Sequence, residues 1–327
     1  MMASPSAPVS IVVMEGDGIG PEITAAAMSV LHAADRAFGL ALAFTPIAIG
    51  LAALRREGKT LSERAIEAAS RADGVILGPV SHHEYPPISQ GGINPSGELR
   101  KRLDLFANIR PARSRGSFAP RCGSAVDLVI VRENTEGFYA DRSMFVGMGE
   151  FMPTPDLALS VRKITRSGST RIAEAAFALA PRRRNKVTTV HKANVLRVSD
   201  GLFLESVRAV ASRFPGVAYE ERIVDAMAAL LVRDASAFDV VLTTNMFGDI
   251  LSDLAGEISG SLGLAASLLA WLGERRGHEP LLHAAAAIDD ALESVISDPA
   301  ARTADLGGPL GTKAFGERVA AQLTRSQ

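Results

Sequence analysis

Asp249 and Asp253 stand four residues apart in Phe-Gly-Asp-Ile-Leu-Ser-Asp-Leu, a spacing that puts both carboxylates on one face of a helix, near its N-terminus. Two like charges there repel unless a cation joins them, and a hard, oxygen-liganded ion such as Mg2+ or Mn2+ meets that need. An acidic first turn favoured by the helix dipole is the plainer account of the same pair. Arg100, Arg110 in Asn-Ile-Arg-Pro and Arg132 in Val-Arg-Glu-Asn carry the complementary chemistry. Guanidinium forks bind carboxylates bidentately, so three that converge hold a polyacid, although each alone reads better as a solvated surface charge. Lys192 in Val-His-Lys-Ala-Asn, with Asn194 close by, suits a general base, and Tyr139 in Glu-Gly-Phe-Tyr suits the matching acid. Asp225 follows in Ile-Val-Asp. The segment EGDGIGPE contains Gly16, Gly18 and Ile19 in a G-x-G-x-G spacing, which differs from the Rossmann fingerprint. It is either a strand-to-helix turn needing positive φ or a place where backbone approaches a nucleotide or substrate.

These residues need a frame, and the chain alternates strand and helix patterns, which argues for α/β layers. The apolar run Val9–Met14 precedes the glycine-rich turn; Pro21 opens a helix and Gly39 closes it. Thr60-Leu-Ser-Glu63 matches a capping box that starts a helix reaching about Arg71. Strands are expected at Leu105–Ile109, Val126–Val131, Leu159–Thr165, Lys186–His191, Val217–Val224 and Asp239–Thr244, so that Arg110 and Arg132 fall at strand ends and Arg100 on a helix. Helices are expected at Met246–Ala255 and Ala265–Leu272, among others. Ala140–Pro155 is rich in Met, Phe, Gly and Pro without a helical period, as in a surface loop or an arm that packs on a partner chain.

The chain has 327 residues, 47% hydrophobic and 22% charged, with a formal net charge of −1. That is ample for a packed core and gives no global attraction to nucleic acid or an anionic membrane. The single cysteine, Cys122, rules out an internal disulfide and suits a reducing cytoplasm. The longest apolar run, Leu262–Gly273, is too short to span a bilayer, and MMASPSAPVS has no signal-peptide pattern.

Taken in order, EGDGIGPE, LRKRLDLFANIRP, VRENTEGFY, VHKANVL, RIVDAMA, TTNMFGDILSDL and RTADLGG resemble the isocitrate/isopropylmalate dehydrogenase family. VHKANVL with SDGLF, and RENTEGFY, look most like its isocitrate and homoisocitrate members. The resemblance implies a non-Rossmann α/β fold of two domains with mixed sheets and flanking helices. One domain is expected at 1–105 plus 248–327, on the cofactor side, and a smaller one at 106–247, with a dimer arm near 140–155. It implies that Arg100, Arg110 and Arg132 hold substrate carboxylates, with Asn94 and Ser96 near the distal one. Tyr139 becomes the general acid and Lys192, from the partner subunit, handles the hydroxyl proton. Asn194 positions substrate and nicotinamide, Gly16, Gly18 and Ile19 line the cofactor side, and Asp225 (also the partner's), Asp249 and Asp253 bind Mg2+ or Mn2+. The implied reaction is oxidative decarboxylation of a 2-hydroxy di- or tricarboxylic acid with NAD+ or NADP+ in a homodimer.

One departure stands out. The family follows its G-x-L-G segment with a His-Gly-containing loop against the adenosine half of the cofactor. Here Gly260-Ser-Leu-Gly-Leu264 runs directly into Ala265-Ala-Ser-Leu, and none of the six histidines precedes a glycine. The expectation is a dehydrogenase with a weakened adenosine subsite; the alternative is a cofactor-poor paralogue that binds acid or metal, or acts as a partner subunit.

Overall fold

The structure is a computed structural model and describes residues 7–116, 120–139, 149–259 and 264–325. It divides into two compact units, Met1–Glu98 with Leu262–Gln327, and Leu99–Ser261.

In the first unit, β1 (Val9–Met14) leads through the glycine turn into α1 (Gly20–Phe38). Pro21 lies in its first turn, and Gly39 ends it in the left-handed conformation, φ 60°, with its amide on the Asp35 carbonyl at 2.9 Å. β2 (Leu42–Pro46), α2 (Gly50–Glu57), α3 (Glu63–Arg71) and β3 (Gly74–Leu77) follow, and the strands form a parallel sheet in the order β2-β1-β3. The central strand is covered on both faces, which is why it reads as an unbroken apolar run rather than an alternating one. α4 (Pro95–Arg102) carries the chain into the second unit.

The second unit is built on a five-stranded sheet. Its elements are β4 (Ala107–Arg113), β5 (Asp127–Glu133), the exposed hairpin β6 (Glu150–Thr154) and β7 (Leu157–Ser160), α5 (Arg166–Leu179), β8 (Lys186–His191), α6 (Ser199–Ala211), β9 (Ala218–Ile223), α7 (Val224–Asp234), β10 (Val240–Thr243) and α8 (Asn245–Ser259). The sheet order is β4-β5-β10-β8-β9, with β4 antiparallel and the other pairs parallel. The period of two divides its core. Leu128, Ile130 and Val241 face Met227, Leu231 and Leu251 of α7 and α8, whereas Val129, Val131, Val240 and Leu242 face Phe177 and Ile172 of α5 and Phe203 of α6. The first unit is completed by α9 (Leu264–Arg276), α10 (Glu279–Ser297) and α11 (Thr312–Arg325), whose Leu269, Ile288 and Leu323 join Ile11 and Leu31 in one core.

The α/β architecture with mixed sheets and flanking helices is as the sequence implies, but several local expectations differ. Thr60 is no cap: α3 starts after Ser62, and the Thr60 hydroxyl donates to the Ile93 carbonyl (2.5 Å) and accepts from the Ile93 amide (2.8 Å). The strand expected at Leu159–Thr165 is β7, and it pairs with β6, inside the segment read as an arm; residues 140–148 of that segment lie outside those described. Val224, expected to end a strand, instead opens α7, and neither α7 nor α2 has a counterpart among the helices expected from the sequence. All of α8 belongs to the second unit, where it packs on β4, β5, β10 and α7, whereas the sequence reading divides the chain at 248.

Gly16 holds φ +78°, and a Cβ built there would lie 2.0 Å from the Pro79 carbonyl oxygen. Gly16→Ala is therefore expected to cost about 1–3 kcal/mol and to lower the thermal midpoint. An unchanged midpoint would show that the β1–α1 turn does not depend on this close approach.

Candidate active site

Asp249 is the centre of a polar cluster in the second unit. One oxygen, Oδ1, accepts from an Arg132 amino group and lies 3.8 Å from an Arg110 amino nitrogen; the other, Oδ2, accepts the Tyr139 hydroxyl at 3.2 Å. Arg110 also reaches Asp253 Oδ1 (3.2 Å), Ser252 Oγ (3.0 Å) and Asn108 Oδ1 (3.2 Å). Thus the structure brings together Arg110, Arg132, Tyr139, Asp249 and Asp253. Arg100 projects half-buried from α4.

The elements explain this convergence. β5 and β10 are parallel neighbours with Arg132 opposite Thr243, so α8, which starts at Asn245, begins beside Arg132. The Arg132 side chain passes across Gly248, where a Cβ would lie 2.6 Å from its Cγ. Glycine inside a helix costs about 1 kcal/mol relative to alanine, and here it makes room for the arginine. Asn245 accepts from two Arg132 nitrogens, at 2.9 and 2.7 Å, and donates to the Glu136 carbonyl at 3.0 Å. Asn245, Gly248 and Ser252 are the residues that the sequence reading did not single out; the mid-helix glycine beside paired aspartates was the available signal. Two placements differ from expectation. Arg110 sits in mid-strand opposite Ile130, because β4 runs on to Arg113, and Asp249 occupies the second turn of α8 rather than its N-terminus, so the helix dipole is the weaker account of it.

The loop carrying Tyr139 is held by its own carboxylates. Glu133 accepts from the Thr135 hydroxyl (2.6 Å) and from the amides of Thr135 (2.8 Å) and Glu136 (2.9 Å); burial nevertheless pushes its carboxyl up. Glu136 accepts from the amide and hydroxyl of Thr165, the residue that caps α5, at 2.8 and 2.5 Å.

Lys192 and Asp225 are paired with each other at 2.6 Å. Hydrogen bonding from the Lys192 ammonium holds the Asp225 carboxyl below its ordinary range. Asn194 lies exposed just beyond, with Val195 and Val198 at 66% and 88% exposure. Among the described residues no group of three or more His, Cys, Asp or Glu is placed to hold a metal, so Asp225 does not join Asp249 and Asp253 within one chain. In the first unit, Asn94 caps α4, its side-chain oxygen accepting from the Gly97 amide at 3.2 Å, and Ser96 is half-buried in the first turn. The crossing with Pro79 accounts for Gly16, Gly18 holds φ +57°, and Ile19 is 55% exposed at the start of α1.

The family pattern described as isocitrate/isopropylmalate dehydrogenase matches residues 10–281. The chain belongs to this family. It is 39% identical to a 3-isopropylmalate dehydrogenase of Sulfurisphaera tokodaii over 277 residues, 85% of this chain and 76% of that one. It is 36% identical to an isocitrate/homoisocitrate dehydrogenase of Thermus thermophilus over 352 positions, covering 96% and 98%. That alignment is longer than this whole chain of 327 residues, so the Thermus enzyme carries residues that this one lacks. The crystal structure of an isocitrate dehydrogenase from Methylococcus capsulatus superimposes with a TM-score of 0.82 at 34% identity, covering 96% of this chain and 99% of that one. The class of chemistry follows from membership: metal-dependent oxidative decarboxylation of a hydroxy acid by a dehydrogenase. No helix among the described residues is long and apolar enough to cross a membrane.

Helix propensity alone makes Gly248→Ala stabilising by about 1 kcal/mol. The Arg132 packing reverses the expected sign, with a lower thermal midpoint and weaker calorimetric binding of a dicarboxylate. A more stable variant with undiminished binding would show that Arg132 does not need the glycine.

Proposed function

We propose that this protein oxidises and decarboxylates an isocitrate-like 2-hydroxy di- or tricarboxylic acid, with NAD+ or NADP+ as the hydride acceptor and with Mg2+ or Mn2+. The observation that carries this reading is the convergence of Arg110, Arg132 and the Tyr139 hydroxyl on Asp249, with Asp253 one turn further along α8. The donor set fits the metal: two carboxylates one helical turn apart are hard oxygen ligands, Asp249 part-exposed and Asp253 exposed. Asp249 and Asp253 of one chain, with Asp225 of a second copy, would hold the ion. A bound cation there would supply Lewis-acid polarisation of the substrate oxygen, and a bound nicotinamide would supply the hydride acceptor. Arg110 and Arg132, with Arg100 from α4, grip the substrate carboxylates through planar forks and fix its orientation. Asn94 and Ser96 are assigned to the distal carboxylate and Asn194 to substrate and nicotinamide. Lys192 takes the hydroxyl proton, and Tyr139 Oη returns a proton to the carbon that CO2 leaves.

Lys192 and Asp225 serve the site of a second copy in this reading, which makes the working unit a homodimer. Their pairing with each other, apart from the Asp249 cluster, supports that division, as does the exposed β6–β7 hairpin, which offers Phe151, Met152, Leu157 and Leu159 to a partner. Gly16, Gly18 and Ile19 are assigned to the cofactor side. The adenosine half of that subsite is reduced, because α8 ends at Ser259 and α9 begins at Leu264, leaving no length for the family's loop; residues 260–263 lie outside those described.

Assays over isocitrate, homoisocitrate, 3-isopropylmalate, D-malate and tartrate test the substrate, with isocitrate or homoisocitrate expected to give the highest kcat/KM. Excess EDTA should abolish turnover, and Asp249→Asn should weaken Mn2+ binding by about tenfold or more, equivalent to about 1.4 kcal/mol. Full activity in EDTA would overturn the metal reading. Calorimetric titration should place the Kd for NAD+ at roughly millimolar, about −4 kcal/mol. A micromolar value would show that other residues replace the lost adenosine contacts.

A further inference from the structure

Lys192 stands where the sheet stops supporting the chain. β8 pairs with β9 only as far as His191 opposite Ile223, and Lys192 is the next residue. Its main chain is nevertheless fixed on both sides. The Lys192 amide donates to Asp200 Oδ2 at 2.5 Å, and its carbonyl accepts from the amides of Val195 and Leu196 at 2.9 and 2.8 Å. The next amide, that of Ala193, donates to His191 Nδ1 at 3.0 Å. Burial lowers the His191 pKa and so favours the neutral ring that can accept there.

Asp200 is fully buried in the first turn of α6, and its other oxygen takes the guanidinium of Arg162. The Arg162 side chain is itself buried and divides its donors among Asp200, Ser199 Oγ (3.0 Å) and Thr244 Oγ1 (3.0 Å), with Cζ 5.2 Å from the centre of the Phe247 ring. Packing alone does not call for such a pair, since an apolar replacement of similar volume is often as stable or more so. What the pair adds is geometric. One oxygen of Asp200 is neutralised by the arginine, and the other holds the amide of the residue that the strand leaves unsupported. Arg162 ties the same carboxylate to Thr244, which immediately precedes α8.

We propose that Asp200, braced by Arg162, is a positioning residue for Lys192: it fixes the main chain from which the lysine reaches the reacting hydroxyl, and so governs turnover rather than substrate binding. This rests on the role given to Lys192 above.

Asp200→Asn alone strands a buried guanidinium, so the informative variant is the pair Arg162→Met with Asp200→Ala, which removes both charges. The pair is expected to unfold cooperatively and to bind the acid in the presence of Mn2+ within about threefold of the wild type, while kcat falls by about tenfold or more. In a Lys192→Ala background the same two changes should alter kcat by less than about twofold, because their effect runs through the lysine. An unchanged kcat in the folded pair, or losses that multiply in the Lys192→Ala background, overturns the proposal. If the pair does not fold, Arg162→Lys, which keeps the charge but not the fork, is judged by the same criteria. A wild type without turnover would sink the functional reading itself. The brace is then decided by hydrogen exchange at the Lys192 amide: acceleration by about tenfold or more in the variant supports it, and an unchanged rate overturns it.

Discussion

A guanidinium with almost no exposure to water must find its counter-charges inside the protein, and Arg132, at 1% exposure, sets this requirement for the second unit. Leaving such a charge unpaired costs about 3–5 kcal/mol, a large share of the stability of an ordinary domain. The surrounding architecture answers it. The parallel pairing of β5 with β10 delivers the start of α8 to the arginine, Gly248 clears its path, Asn245 takes two of its donors and Asp249 supplies the charge. Satisfying the buried charge and placing the helix are therefore one problem with one solution: a rigid, desolvated fork that gains from a carboxylate what a surface arginine would lose to solvent screening.

A second habit of the molecule is to spend carboxylates on main-chain amides. Glu133 and Glu136 fix the loop that carries Tyr139, and Asp200 fixes Lys192. In the first unit Asp17 does the same, accepting from the amides of Leu51 (2.7 Å) and Ser81 (3.2 Å) and from the Tyr85 hydroxyl, whose pKa burial and that bond push up. Charged acceptors form stronger hydrogen bonds than neutral ones, so loops that regular secondary structure cannot hold still acquire defined positions.

Motif order and strand–helix alternation were legible in the sequence because they depend on short-range pattern. The α1 boundaries followed from Pro21 and Gly39, and the shared face of Asp249 and Asp253 from helical spacing. What escaped depends on partners distant in the chain. Thr60 looks like a cap until Ile93 claims its hydroxyl, and Arg110 looks terminal until the antiparallel pairing with β5 extends its strand to Arg113. Gly248 stands out as a mid-helix glycine, but its purpose depends on the arginine that crosses it, 116 positions earlier in the chain. The exposed β6–β7 hairpin blurred its own signal, since neither strand has a buried face to impose alternation.

The first unit is assembled from the two ends of the chain, whereas the second is a single continuous stretch. During synthesis the second unit can close its five-stranded sheet as soon as Ser261 has emerged. The first ninety-eight residues meanwhile hold a three-stranded parallel sheet whose core residues Ile11 and Leu31 still lack Leu269, Ile288 and Leu323. β1–β3 are thus made before the second unit but buried only after it, since a nascent chain lacks their covering until α9, α10 and α11 have followed. That ordering leaves β1–β3, rather than the five-stranded sheet, as the edges open to misassembly for longest during folding.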